Sequence, residues 1–192
     1  VNGVSVGGEQ ALSIYGKLQV EDGYISTRRS GGIITWATAS GEFIVHGGNV
    51  DARQIRSSGT VGLAAFYQTG GVVTLRGRYN LDQNPGTAAD LSSAAIVGEA
   101  TNTSDITGQG TLNINNEENI FNMSGGTLNI LSTCTSDRAI DIYSEDKNIS
   151  VTGGTINIIP QGTYAGVFEV RTNAPFYNFN ITNCFVCFSF PH

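Results

Sequence analysis

Carboxylate pairs are the first residues of this sequence whose spacing could support catalysis. Glycoside hydrolysis uses two carboxyl groups that face each other across a sugar, about 5 to 9.5 Å apart. The candidate pairs are Glu117 with Glu118, Asp141 with Glu145, and Glu21 with Asp22. The two adjacent pairs lie in predicted turns, where solvated charge is the ordinary explanation, and adjacent strand residues face opposite ways. Asp141 is expected to point outward from a strand, but one carboxylate does not make a mechanism.

Histidine and cysteine add no catalytic or metal-binding arrangement. His46 precedes a Gly-Gly pair at a position where other repeats have Ser or Thr, which indicates a polar corner residue, and His192 is terminal. Cys134, Cys184 and Cys187 form neither an even disulfide framework nor a paired zinc pattern, and we interpret them as small apolar residues. Ser-His-Asp arrangements, phosphate-binding glycine loops and calcium-binding nonapeptides are also missing from the sequence. We therefore predict a protein that is not an enzyme and has no metal or cofactor.

A row of Thr-x-Asn phrases is the one polar pattern with a binding chemistry. Its members are Thr111, Asn113, Thr127, Asn129, Thr155 and Asn157, preceded less regularly by Gln19, Thr35, Asp51 and Thr74. Hydroxyls and amides in a flat array can hydrogen-bond a glycan or another protein surface. The structural alternative is that Thr favours strands and that stacked Asn side chains stabilise a sheet. We expect all six residues to face outward, with Thr127 and Asn129 at the centre of the binding surface.

Internal repeats indicate the elements that position this row. A phrase of glycine, any residue, an aliphatic, any residue and an apolar residue begins at Gly16, Gly32, Gly48, Gly71, Gly110, Gly126 and Gly154. Several of these starts differ by 16, which predicts a unit of about 16 residues with insertions. Residues 32–50 also align without a gap on residues 110–128, matching Phe43 with Phe121.

Alternation with period two inside each phrase predicts strands with one buried face. The expected inward residues are Leu18, Val20, Ile34, Trp36, Val50, Ala52, Val73, Leu75, Leu112, Ile114, Leu128, Ile130, Ile156 and Ile158. Identical phrases stack best above one another, so we favour parallel coils over an antiparallel sandwich. Residues 138–143 and 166–171 are strand-like insertions that could complete a third face.

The predicted fold is all-β, a parallel β-helix or β-solenoid with two to three short strands in each coil. Residues 1–192 form a single domain that we take as an excised segment of a longer chain, with an inserted loop at residues 76–109 that includes a short helical turn. The C-terminal run from Cys184 to Phe190 is more apolar than an exposed strand should be. We expect that edge to be covered by further sequence or by another chain.

Composition excludes two classes of partner. The net charge of −6 and the 14% content of charged residues leave no basic surface for a phosphate backbone, so nucleic acid is not an expected partner. The sequence has no apolar run of about 18 residues, so we expect no membrane span.

The Gly-Gly-x-aliphatic phrases at Gly31, Gly47, Gly70, Gly125 and Gly153 resemble a known repeat. They are similar to the first half of the repeat in polymorphic outer-membrane proteins and autotransporter-type adhesins, the right-handed parallel β-helix proteins of bacterial surfaces. The companion Phe-x-x-Asn phrase of that repeat is not reproduced. The resemblance implies a secreted or surface-anchored adhesive stalk.

Three functional hypotheses follow from these patterns. The first is a non-enzymatic extracellular or cell-surface module, a stalk or adhesin segment whose partner is a glycan, a protein or a neighbouring solenoid segment. The second is a polysaccharide lyase or glycoside hydrolase, with its cleft formed by residues 76–109 and 131–148. The third and most remote is ice binding, which also uses flat Thr-bearing faces, although Lys17, Ile33, Asn49 and Val72 interrupt the row.

Overall fold

The protein is all-β. The computed structural model describes residues 10–27, 32–36, 40–57, 63–77, 79–81, 96–99, 111–133, 138–160 and 167–190. Nearly all regular structure in these ranges is strand, and a three-residue 3₁₀ turn at Asp146–Asn148 accompanies it. Within the same ranges, no helix has the length and apolar character needed to cross a membrane.

The first sheet contains seven strands, each hydrogen-bonded in parallel to the next. In spatial order they are β1 (Gln10–Ile14), β4 (Ile33–Trp36), β7 (Gln54–Arg56), β12 (Leu112–Asn115), β14 (Arg138–Tyr143), β16 (Val167–Thr172) and β18 (Phe185–Ser189). The strands at 138–143 and 167–172, expected to be insertions, are thus regular members of this sheet. Spatial order follows chain order, with strands of the second sheet between successive members.

The second sheet contains nine strands and curls. They are β2 (Lys17–Val20), β3 (Tyr24–Ser26), β5 (Ser40–Val45), β6 (Asn49–Ala52), β8 (Leu63–Gln68), β9 (Val72–Leu75), β13 (Ile120–Ile130), β15 (Ile149–Ile158) and β17 (Asn178–Ile181). The N-terminal half of β13 pairs with β8 and its C-terminal half pairs with β9. One long strand therefore takes part in two ladders that earlier passages build from separate short strands.

All pairings within the two large sheets are parallel, which confirms the expected direction and makes the antiparallel sandwich wrong. An antiparallel pair does occur in the predicted insertion, where β10 (Tyr79–Leu81) meets β11 (Ile96–Glu99). The helical turn expected in that insertion falls on residues outside the described ranges.

The spacing of stacked positions differs from the predicted unit of 16 residues. His46 and Thr69, equivalent corner residues of neighbouring passages, are 23 residues apart, and the stacked Asn129 and Asn157 are 28 apart. A step of 16 residues instead moves the chain between sheets, as from β4 to β6. The gapless alignment of residues 32–50 with 110–128 is confirmed, because β4 and β12 share the first sheet and Phe43 and Phe121 both pair with Phe66.

The core lies between the two sheets and follows the predicted inward residues. Thirteen of the fourteen are buried, and Leu18 is partly buried against the same cluster. Phe66 lies at the centre of an aromatic column, with ring centroids 5.8 Å from Phe43 and 5.9 Å from Phe121. Aromatic pairs at this separation stabilise a core beyond the area that they bury.

Glycine corners join the two ladders of the second sheet. Gly126 has a φ of 75°, and a Cβ built on it would lie 2.4 Å from the carbonyl oxygen of Gly70 in the neighbouring passage. Glycine is therefore required at this corner for its conformation and for the close approach of two backbones.

Candidate functional site

The candidate site is a polar face on the second sheet, formed by the outward residues of the C-terminal half of β13, the C-terminal half of β15, and β17. Its members are Thr127, Asn129, Thr155, Asn157, Asn178 and Asn180. Strand register arranges them as two columns, one running Thr127–Thr155–Asn178 and the other Asn129–Asn157–Asn180. The intervening inward residues, such as Leu128 and Ile130, are buried.

A chain of amide hydrogen bonds runs along the second column. Asn157 Nδ2 donates to Asn129 Oδ1 at 2.8 Å, and Asn180 Nδ2 donates to Asn157 Oδ1 at 2.9 Å. Each carboxamide has two N–H donors and two acceptor lone pairs, so this chain uses only part of its capacity. The ladder fixes the orientation of these amides and leaves polar groups able to bind a ligand.

The first column ends near an exposed aromatic residue. Asn178 Nδ2 donates to the carbonyl oxygen of Gly154 at 3.2 Å, and the preceding Tyr177 is 64% exposed. A ring beside hydroxyls and amides combines an apolar surface with polar groups, which suits sugars and extended peptides alike.

Thr111 and Asn113 do not belong to the polar face, which corrects the prediction. Both flank or lie in β12 of the first sheet and are buried, with exposures of 0% and 3%. Thr111 Oγ1 donates to the carbonyl oxygen of Ser132 at 3.0 Å, and Asn113 Oδ1 accepts from Ser57 Oγ at 3.4 Å. The phrase that contains them stacks in a different sheet from the phrases that contain Thr127 and Thr155. Both side chains have structural partners.

The irregular N-terminal members of the predicted row also separate. Thr74 pairs with Asn129 and extends the second column, and Asp51 pairs with Thr74 but is 7% exposed. Asp51 Oδ1 accepts from Arg76 Nε at 2.6 Å, so charge pairing ends the column of neutral side chains. Thr35 lies in the first sheet at 1% exposure, and Gln19 lies in the ladder of β2.

Asn178 and Asn180 are site residues that the repeat search missed. No Gly-Gly pair precedes them, and that pair defined the search. Their signal is the alternation in Asn178-Phe179-Asn180, which matches Thr155-Ile156-Asn157 in polarity. Alternation alone would have found them.

Asp141, the outward carboxylate considered for catalysis, forms a buried ion network. Its side chain is 1% exposed, and Arg171 contacts both carboxylate oxygens, at 2.9 and 2.7 Å. Arg138 lies 3.3 Å from one oxygen and Asn115 donates to the other at 3.1 Å. The hydrogen bond to Asp141 raises the pKa of the Arg171 guanidinium. These contacts give the carboxylate a structural role that ties β12, β14 and β16 together.

The remaining acidic candidates occupy turns with ordinary partners. Glu117 accepts from the Tyr143 hydroxyl at 3.3 Å, and its charge raises the pKa of that hydroxyl. Glu145 pairs with Lys147 on the surface. Glu21 and Asp22 are exposed in the turn between β2 and β3. Paired carboxylates across a cleft are not found in the described part of the chain.

Histidine and cysteine positions agree with simple roles. His46 Nδ1 lies 2.7 Å from Thr69 Oγ1, which confirms a polar corner residue. Cys184 is partly buried, which raises the pKa of its thiol, and Cys187 is exposed. Cys134 lies outside the described residues. Among the residues with described structure, no cluster of three or more His, Cys, Asp or Glu could hold a metal ion.

Comparisons with protein-family models, with curated proteins and with solved structures found no match to this chain.

Proposed function

We propose that the chain is a parallel β-solenoid that acts as a non-enzymatic extracellular or cell-surface module, a stalk or adhesin segment that binds a glycan or protein through the polar face. The solenoid interpretation is supported by the chain path, since each passage adds a strand to the first sheet and then extends the second. Parallel ladders and stacked inward residues are what a coiled chain of this kind requires.

The observation that carries the binding proposal is the regular polar face. Neighbouring strands lie about 4.8 Å apart, so Thr127, Thr155 and Asn178 form a row with a spacing set by the backbone. The amide ladder holds the adjacent column in one orientation before any partner arrives. Preorganisation of this kind lowers the ordering cost of binding.

A hydrolase or lyase on the same scaffold is the less favoured alternative. Its sharpest candidate, Asp141, is buried and engaged by two arginines and an asparagine. A general acid or base must reach the proton that it transfers, at about 2.6 to 3.2 Å or through one water. Asp141 is better suited to holding three strands together than to meeting a sugar.

The binding proposal is tested with a variant that changes the face and preserves its ladder. Thr127→Lys combined with Thr155→Lys places two large cations in the first column and leaves the Asn129–Asn157 hydrogen bond in place. We expect affinity for the glycan or protein ligand, identified on a glycan array and a panel of extracellular matrix proteins, to fall at least about tenfold, or about 1.4 kcal/mol.

Asn122→Lys with Ser150→Lys is the matched control. Asn122 and Ser150 are paired outward residues on the same two strands, but in the other ladder. Both variants should keep the circular dichroism spectrum and melting temperature of the parent. If the Thr127/Thr155 variant stays folded and binds as tightly as the parent, the polar face is structural and the proposed function is wrong.

A further inference from the structure

The C-terminal end of the stack exposes core positions that are buried in earlier passages. By register, Ile158 stacks on Ile181 and Val170 stacks on Phe188. Ile158 and Val170 are both 0% exposed, whereas Ile181 is 45% and Phe188 is 54% exposed. The apolar columns therefore reach the surface at this end.

Aromatic residues enlarge this apolar surface. Phe185 is 79% exposed and Phe190 is 77% exposed, and the Phe188 ring contacts Phe179 with centroids 5.7 Å apart. At roughly 150 to 250 Å² for an aromatic side chain, the exposed apolar surface at this end is on the order of 500 Å². That equals the largest apolar patch of a typical monomer and is a large share of the ~800 Å² that each partner buries in a stable complex.

Strand β18 also has an unpaired edge. Among the described strands it pairs with β16 alone, so the N–H and C=O groups of its other edge are open to a further strand. An occupant that satisfies this end must bring both an edge strand and an apolar surface.

The N-terminal end of the stack does not offer a complementary surface. Leu12 and Ile14, the inward residues of β1, are 8% and 4% exposed, so the core is already covered there. The large exposed hydrophobic residues described near that end are Tyr15 and Tyr24. The surface on this chain that best matches the C-terminal end is therefore a second C-terminal end.

We propose that two copies of this chain dock through their C-terminal ends, with β18 of each copy pairing as antiparallel strands about a two-fold axis. An interface of this kind uses the same patch twice and closes, so it gives a dimer and not a filament. Symmetric pairing of the five-residue strand centres on Cys187, which is exposed in the single chain. This inference does not depend on what the polar face binds.

Sedimentation velocity of the 192-residue chain over a concentration series tests the proposal. We expect a dimer with a Kd in the micromolar range, and at least a tenfold weaker Kd for Phe185→Asp and for Phe190→Asp. Both side chains are more than three-quarters exposed, so each variant is expected to fold. Tyr15→Asp, at a residue 65% exposed near the opposite end, is the matched control and should dimerise like the parent.

A cross-linking experiment tests the two-fold geometry. A chain that carries Cys134→Ser and Cys184→Ser and keeps Cys187 should form a covalent dimer with a short bifunctional maleimide, and adding Cys187→Ser should abolish it. A parent chain that stays monomeric throughout the series overturns the proposal. So does an open-ended series of oligomers, or a dimer that is weakened by Tyr15→Asp and not by the C-terminal variants.

Discussion

Neighbouring residues on one strand of the polar face differ sharply in environment. Ile130 is fully buried in the core cluster, whereas Asn129, one residue earlier, is half-buried and accepts a hydrogen bond from Asn157. The two positions therefore make a stringent pair for substitution by the same charged residue.

Ile130→Asp should lower the free energy of unfolding by about 3 to 5 kcal/mol, because it buries a carboxylate with no partner and removes an apolar side chain. Asn129→Asp should cost less than about 1 kcal/mol, because a carboxylate oxygen can still accept from Asn157. Urea denaturation of both variants measures the difference. Equal destabilisation would contradict the assignment of inward and outward faces.

At the same scale, the sequence predicted inward residues better than outward ones. Alternation reports that one face of a strand is buried, and burial follows for Leu112 and Ile114 as it does for Leu128 and Ile130. It does not report whether the opposite face is also covered, and Asn113 is buried where Asn129 is partly open. Coverage of the second face depends on residues distant in sequence, which a local pattern cannot contain.

Among the elements, the glycine corner within β13 sets the angle between two ladders. Gly126→Ala would force an alanine into a φ of 75° and bring its Cβ within 2.4 Å of a backbone oxygen. A left-handed conformation costs about 1 to 2 kcal/mol for a residue with a Cβ, and the contact adds to it, so we expect a loss of at least about 2 kcal/mol.

Gly16→Ala is the control for that substitution. A Cβ at Gly16 meets nothing within 4 Å, and Gly16 is not among the glycines with positive φ. Its melting temperature should equal or exceed that of the parent, since alanine restricts the unfolded chain. A Gly126→Ala chain that is as stable as Gly16→Ala would show that the corner is not strained by a side chain.

The Asp141 network is the second element-scale device, because it connects three strands of the first sheet. Asp141→Asn removes the charge that two arginines share, and the arginines are about a quarter exposed. Loss of one partner of a buried pair costs about 3 to 5 kcal/mol, and partial exposure lowers our expectation to about 2 kcal/mol. Chemical denaturation should show this loss, whereas Glu145→Gln, which breaks the surface pair with Lys147, should give no measurable change.

At the scale of the whole molecule, the sequence predicted the parallel direction but not the length of a passage. The phrase Gly-Thr-Leu-Asn-Ile occurs at both Gly110 and Gly126, yet the first copy contributes β12 to the first sheet and the second contributes to β13. Identical local sequence is used in two different sheets, because each requires only one apolar face and a glycine lead-in. The assignment to a sheet comes from stacking partners 23 to 28 residues away.

Stacked strands also predict a gradient of local stability along the molecule. β8 lies between β5 and β13 and contains the fully buried Phe66, whereas β17 pairs, among the described strands, with β15 alone and most of its residues are exposed. In a stack where each passage contacts only its neighbours, an end strand opens without disturbing the centre. In the monomeric chain, amide hydrogens of residues 178–181 should therefore exchange at least about 100-fold faster than those of residues 63–68. Hydrogen exchange followed by mass spectrometry measures both segments in one experiment, with residues 120–123 as an internal reference that should match β8. Equal protection at the end and at the centre would mean that the sheets unfold as a single cooperative unit and not strand by strand from the C-terminal end.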